Sequence, residues 1–168
     1  MSKFTFFWGN ESPFSNWHKS DFVYKDIKFC TSEQAMMWEK AMLFGDRETA
    51  EEILKTRNPK VQKQLGREVK NYVDEVWNAK REELVFNILV EKFLQNEKIL
   101  SWLLKTGDTT IVEASPYDKI WGIGLGEDDP RSLDPAQWQG TNLLGKILTE
   151  LRETLKYAAP IIALEKRS

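Results

Sequence analysis

Two pairs of residues in this chain have the types and spacing to do acid–base chemistry. Glu33 and Lys40 stand seven positions apart, so a helix through them puts both on one face, two turns from one another. Met36 and Met37 fall on or beside the strip between them. A carboxylate and an amine across an apolar strip fit a pocket. They also fit a plain helix, with an acidic residue favoured in the first turn and an exposed lysine further on. Glu113 and Asp118 form the second pair, at the end of an expected strand and within the following turn. Two carboxylates at one loop are the minimum for cleaving a glycosidic bond, one activating water and one stabilising positive charge on the sugar. After Trp121, glycines alternate at Gly122, Gly124 and Gly126, which would let backbone N–H groups approach a phosphate or would simply shape an aromatic-studded turn. Gly140, Thr141, Asn142, Gly145 and Lys146 open a helix whose first N–H groups could hold an anion. Capping by Asn142, with Gly145 for close packing, is the plainer alternative there.

The elements that must position these groups follow from periodicity and turn chemistry. Residues 3–8 alternate and are aromatic, as a strand would be, and residues 9–17 are Gly, Asn, Ser and Pro punctuation. Phe22 to Tyr24 and Ile27 to Cys30 read as a hairpin turning at Lys25 and Asp26. Thr31 and Gln34 fit a capping box that starts a helix ending near Gly45. Asp46 caps a second helix to about Lys55, and Asn58-Pro59 starts a third ending near Gly66. A long amphipathic helix follows, with Val69, Val73, Val76, Trp77, Leu84, Ile88 and Leu89 on or near one stripe. Another helix covers Glu97 to Thr106, and a strand covers Thr110 to Glu113. Residues 115–139 form a loop too long to be an idle connector, and Thr141 or Asn142 caps a last helix to about Tyr157. The expectation is one α+β domain over residues 1–160, mostly helical with a small β-sheet, and a frayed tail over 161–168.

Composition narrows the function. The chain has 168 residues, enough for one core, with 24 Lys and Arg against 26 Asp and Glu. A net charge of −2 argues against a strongly basic, sequence-independent nucleic-acid binder. Lys3, Lys19, Lys25, Lys28 and Lys119 could still gather locally into a positive rim. The single Cys30 excludes an internal disulfide, and with one histidine, His18, no metal site of several imidazoles or Cys-rich type can be built. No run approaches 18 apolar residues and no signal-like leader opens the chain, so a cytoplasmic protein outside the membrane is expected. The 7 Trp and 9 Phe are more than a core needs in such turn-like settings, and some suit a pocket for a flat base.

In order along nearly the whole chain, these segments resemble the YbiA-like family, also called the NADAR domain. The resemblance is carried by Gly9-Asn10, by Pro13-Phe14-Ser15-Asn16-Trp17, and by Ser32-Glu33-Gln34 running to Lys40. It continues through Leu65-Gly66-Arg67, Trp77, the run Glu113-Ala114-Ser115-Pro116-Tyr117-Asp118-Lys119-Ile120-Trp121-Gly122-Ile123-Gly124, and Asn142-Leu143-Leu144-Gly145-Lys146. It implies an N-glycosidase acting on a ribose C1–N bond. The substrate would be a nucleotide-like small molecule, such as a phosphoribosylamino-pyrimidine intermediate of riboflavin synthesis, or an ADP-ribosylated guanine base in nucleic acid. In that reading Glu33 and Asp118 stabilise charge or act as bases, and Lys40 either binds phosphate or protonates the leaving group as a cation, or attacks as a nucleophile through a Schiff base, the role the resemblance favours. Trp77 and Trp121 would stack on the base, Arg67 and Lys146 would pair with phosphate, and Asn10, Phe14, Asn16, Glu113, Gly122 and Asn142 would complete the binding site. No metal or other cofactor is called for. The competing expectation is a module that binds NAD or ADP-ribose without catalysis.

Overall fold

The computed structural model describes residues 2–167, with six α-helices, four short strands and two 3-10 turns in an α+β arrangement. These residues fall into two compact units, one of residues 1–8 with 98–168 and the other of residues 9–97. In the second unit, β2 (Phe22–Tyr24) and β3 (Ile27–Phe29) pair antiparallel. Lys25 and Asp26 take φ of 51° and 63°, the left-handed values that a two-residue hairpin turn needs. Lys25 then ties the hairpin to the helix that follows by an ion pair of 2.7 Å with the buried Glu39.

That helix, α1 (Ser32–Leu43), is capped by Thr31, whose Oγ1 accepts from the Gln34 N–H. The expected return half of the capping box is displaced by one residue. Gln34 Oε1 accepts from Cys30 N–H, and its Nε2 donates to the carbonyls of Ile53 and Thr56. Long-range partners win because Gln34 is buried and its amide must satisfy several groups at once. Asp46 caps α2 (Arg47–Lys55), and Asn58 caps α3 (Pro59–Arg67) with Pro59 at its first turn. The long helix α4 (Asp74–Leu94) starts later than the apolar stripe suggests. Val69 precedes it, Val73 is its N-cap, Val76 is exposed and Leu84 is half-buried. The buried stripe is Trp77, Val85, Ile88, Leu89, Lys92 and Phe93. Asp74 and Glu75 in the first turn fix the start, since acidic groups favour a helix N-terminus.

In the other unit, β1 (Phe4–Phe7) runs parallel to β4 (Thr110–Glu113), with Phe4 opposite Thr110 and Phe7 opposite Glu113. Between them in sequence lies α5 (Glu97–Lys105). The last helix, α6 (Leu143–Arg167), packs on β4 and buries Leu144, Leu148 and Leu151. A Cβ at Gly145 would collide with the carbonyl of Ile111 and the amide of Asn142, so this close approach needs glycine. The backbone of α6 continues beyond Tyr157 and is helical through the expected tail as far as Arg167, while Ser168 lies outside the described residues. Pro160 removes one intrahelical donor, and the Ala, Leu, Glu and Lys around it favour the helix.

Candidate active site

The helical face expected to carry Glu33 and Lys40 forms in the second unit. Glu33 lies in the first turn of α1 and is buried, at 5% exposure. Its backbone N–H donates to Asn16 O at 2.9 Å, and Ser32 Oγ donates to Asn16 Oδ1 at 2.8 Å. Asn16 therefore holds the start of α1. Phe14, two residues earlier, is buried and stacks on Phe93 at 6.5 Å.

Two turns along α1, Lys40 is half-buried with its Nζ 4.5 Å from the centre of the Tyr72 ring and 5.9 Å from that of Trp77. Aromatic faces attract a cation there and also strip its water. The Lys40 pKa lies below the ordinary lysine value, first because of burial. Glu33 and Asp74 oppose that shift, and the Arg67 guanidinium adds to it. Glu33, Arg67 and Trp77, all expected from the sequence, thus each act on Lys40. Tyr72 and Asp74 act on it too and were missed. Tyr72 Oη donates to Asp74 Oδ1 at 2.7 Å, and burial together with this bond pushes the Tyr72 pKa up to about 12. The signal for them is slight, an aromatic and an acid flanking the first turn of a helix.

Asn10 lies elsewhere in this unit, along an open groove of about 920 Å³. Trp17, His18, Lys19, Lys55, Arg57 and Asn58 line it with Asn10, giving a polar, cation-rich wall. Of the lysines expected to gather, only Lys19 is in this groove, since Lys25 pairs with Glu39 and Lys28 with Asp21 at 3.8 Å.

The remaining expected residues share the loop after β4 and the start of α6. Ser115 Oγ accepts from the N–H groups of Tyr117 and Asp118, and Asp118 Oδ1 accepts from Ile120 and Trp121 at 2.9 and 2.8 Å. Asp118 thereby shapes the loop with one carboxylate oxygen, beside a half-buried Trp121. Glu113 is half-buried at the end of β4, with its Oε2 shielded from solvent. Within the glycine-rich run, the N–H groups of Ile123 and Gly124 are already used inside the loop. Ile123 N–H and Gly124 N–H donate to the carbonyls of Glu113 and Asp118, and a Cβ at Gly122 would meet those same two carbonyls. At the start of α6, the N–H groups of Leu143 and Leu144 donate to Ile120 O and Trp121 O. Asn142 stands at the N-cap of α6, its carbonyl accepting from Lys146 N–H at 2.9 Å, but neither it nor Thr141 caps the helix through its side chain. Thr141 Oγ1 donates to Ile120 O, and the Asn142 amide spans β4, accepting from Glu113 N–H at 3.0 Å and donating to Ile111 O at 3.1 Å. Lys146 is exposed on the first turn of α6.

Comparison with known proteins places this arrangement. The NADAR domain family model matches residues 6–156. The chain is 39% identical to Protein irg-1 of Caenorhabditis elegans, over 90% of this chain and 79% of that protein. It is 41% identical to N-glycosidase R617 of Acanthamoeba polyphaga mimivirus, over 75% of this chain and 74% of the relative. The solution structure of Escherichia coli YbiA superposes with a TM-score of 0.77 and 26% identity, covering 95% of this chain and 89% of YbiA. An α+β fold shared with YbiA, together with a family match over most of its length, makes this chain a member of the NADAR domain family.

Proposed function

We propose that this protein is an N-glycosidase that hydrolyses the ribose C1–N bond of a nucleotide-like substrate, with Lys40 as the nucleophile and Glu33 as its acid–base partner. The observation that carries this reading is Lys40 itself, half-buried against Tyr72 and Trp77 beside the buried Glu33. Burial favours the neutral amine, which has the lone pair that attack requires. The Lys40 nitrogen bonds to C1 while the C1–N bond breaks, its electron pair leaving with the base nitrogen, which takes up a proton. Ring opening gives a Schiff base, and water then hydrolyses it to release the sugar and restore the amine. Glu33 receives the proton from the attacking amine, passes it to the departing base nitrogen, and as a carboxylate stabilises the positive charge that builds at C1. Trp77 and Tyr72 border Lys40 where the leaving base would sit, and Arg67 offers a cation for phosphate.

N-glycosidase is the name carried by the mimivirus relative and by YbiA of Escherichia coli, 30% identical over 69% of this chain. The two substrate classes to test are ADP-ribosylated guanine in nucleic acid and a phosphoribosylamino-pyrimidine. Purified protein is incubated with each, and products are read by mass spectrometry with Lys40→Ala and Glu33→Gln as controls. The expected result is release of the base from one of them, lost in both variants while the fold is retained. Borohydride should trap an adduct at Lys40 in the wild type alone. An adduct in Lys40→Ala would sink the Schiff-base step. Binding of ADP-ribose without cleavage of either substrate would turn the reading to a binding module.

A further inference from the structure

Lys92 is fully buried in α4, and no role has been given to it. Its Nζ donates to Ser15 O at 3.0 Å and lies 5.4 Å from the centre of the Phe93 ring. The same carbonyl accepts from His18 N–H at 3.2 Å. The neighbouring residues of the two segments also meet, since Phe14 stacks on Phe93. Two consecutive residues of α4 therefore grip two consecutive residues of the loop. The next loop residue, Asn16, takes the N–H of Glu33 on its carbonyl and the hydroxyl of Ser32 on its side chain. A continuous path runs from Lys92 through Ser15 and Asn16 to the first turn of α1.

We propose that Lys92 is a positioning residue that fixes Glu33 through the Ser15–Asn16 peptide. The proposal rests on Glu33 being the catalytic carboxylate. Packing alone does not call for a lysine here. A methionine fills nearly the same volume without the cost of burying an amine, and replacing buried charged groups by apolar ones is often neutral or stabilising. Burial brings the Lys92 pKa down to about 7. What the lysine adds over methionine is a donor aimed at Ser15 O. Its value is the placement of that carbonyl and of the peptide next to it, where small displacements of a reacting group are costly to rate.

The test is Lys92→Met, followed in three ways. Thermal unfolding at neutral pH should give a Tm equal to or above that of the wild type. Base release from the substrate cleaved in the preceding assay should fall about tenfold or more in kcat with little change in KM, the pattern of a displaced catalytic group. Independently of any substrate, amide exchange at Glu33 should accelerate while that of Ala35 to Ala41, deeper in α1, is unchanged. A wild-type kcat or unaltered exchange at Glu33 would overturn the proposal. So would a Lys92→Met protein that fails to fold or loses Tm in step with activity, since that is a structural role. An active Glu33→Gln enzyme would instead remove the Glu33 reading itself, which separates the two failures.

Discussion

Lys40 is surrounded by charges that pull its pKa in opposite directions. Burial and Arg67 lower it, while Glu33 and Asp74 raise it. An amine that attacks as the neutral species gains reactivity as pH rises through its pKa. Asp74→Asn should therefore move the onset of Lys40 reactivity to lower pH, and Arg67→Gln should move it to higher pH. The rate of Lys40 acylation by acetic anhydride against pH, read by peptide mass spectrometry, measures this without a substrate. An onset that stays put in both variants would mean that burial and Glu33 set the pKa without them. Asp118 permits a similar separation. In Asp118→Asn the amide oxygen can still accept from Ile120 and Trp121, so the loop should persist while the charge is gone. A large loss of kcat with unchanged Tm would assign the carboxylate to the chemistry, and full activity would leave it a loop-shaping group. At this scale the sequence shows Glu33 and Lys40 through their helical spacing, because a helix converts spacing directly into geometry. Tyr72 and Asp74 escape that reading. Their turn is set by Asn71 at φ 62° and by the packing of Tyr72 on Phe44 at 5.3 Å, both consequences of tertiary structure.

Elements were legible where their signals are local. Thr31, Asp46 and Asn58 each cap the helix that follows within three residues, and each could be read directly. The start of α6 after Asn142 was legible too, but the partners of the Asn142 side chain were not, for the opposite reason. Asn142 sits at φ 52° with its amide joined to Ile111 and Glu113, about thirty residues away, so nothing beside it in sequence reveals the partner. Gln34 repeats the lesson, its side chain satisfying Cys30, Ile53 and Thr56 instead of its own helix cap. Asn142→Ala should consequently cost far more than a lost cap. It strands a donor on Glu113 and an acceptor on Ile111, at about 1–3 kcal/mol each when buried. It also puts a Cβ-bearing residue with no compensating bond into the left-handed region, at about 1 kcal/mol. A loss of about 3 kcal/mol in urea unfolding is expected. A change within about 0.5 kcal/mol would show that the amide is not the clamp between β4 and α6.

Across the whole molecule, 24 cationic and 26 acidic side chains nearly cancel, and most lie at the surface where exposed pairs contribute little. Stability near neutral and alkaline pH is then governed by the few groups that folding takes out of water, and Lys92 is the most deeply buried lysine among the described residues. Its pKa in the folded protein is about 7, against 10.5 for an ordinary lysine. Below pH 7 both the folded and the unfolded chain hold the proton, and Lys92 adds no slope. Between about pH 7 and 10.5 the unfolded chain holds a proton that the folded chain has shed, so stability rises with pH. The slope approaches about 1.4 kcal/mol per pH unit for one group. Lys40, whose pKa is also lowered, contributes in the same direction, but it is present in both proteins and cancels in a comparison. Urea unfolding of the wild type and Lys92→Met from pH 6 to 10 should therefore show the variant's advantage largest at low pH and shrinking as pH rises. Parallel curves would mean that the ammonium keeps its proton against Ser15 O throughout, and the donor that places the Asn16 peptide would then be a full cation at every pH where the enzyme works.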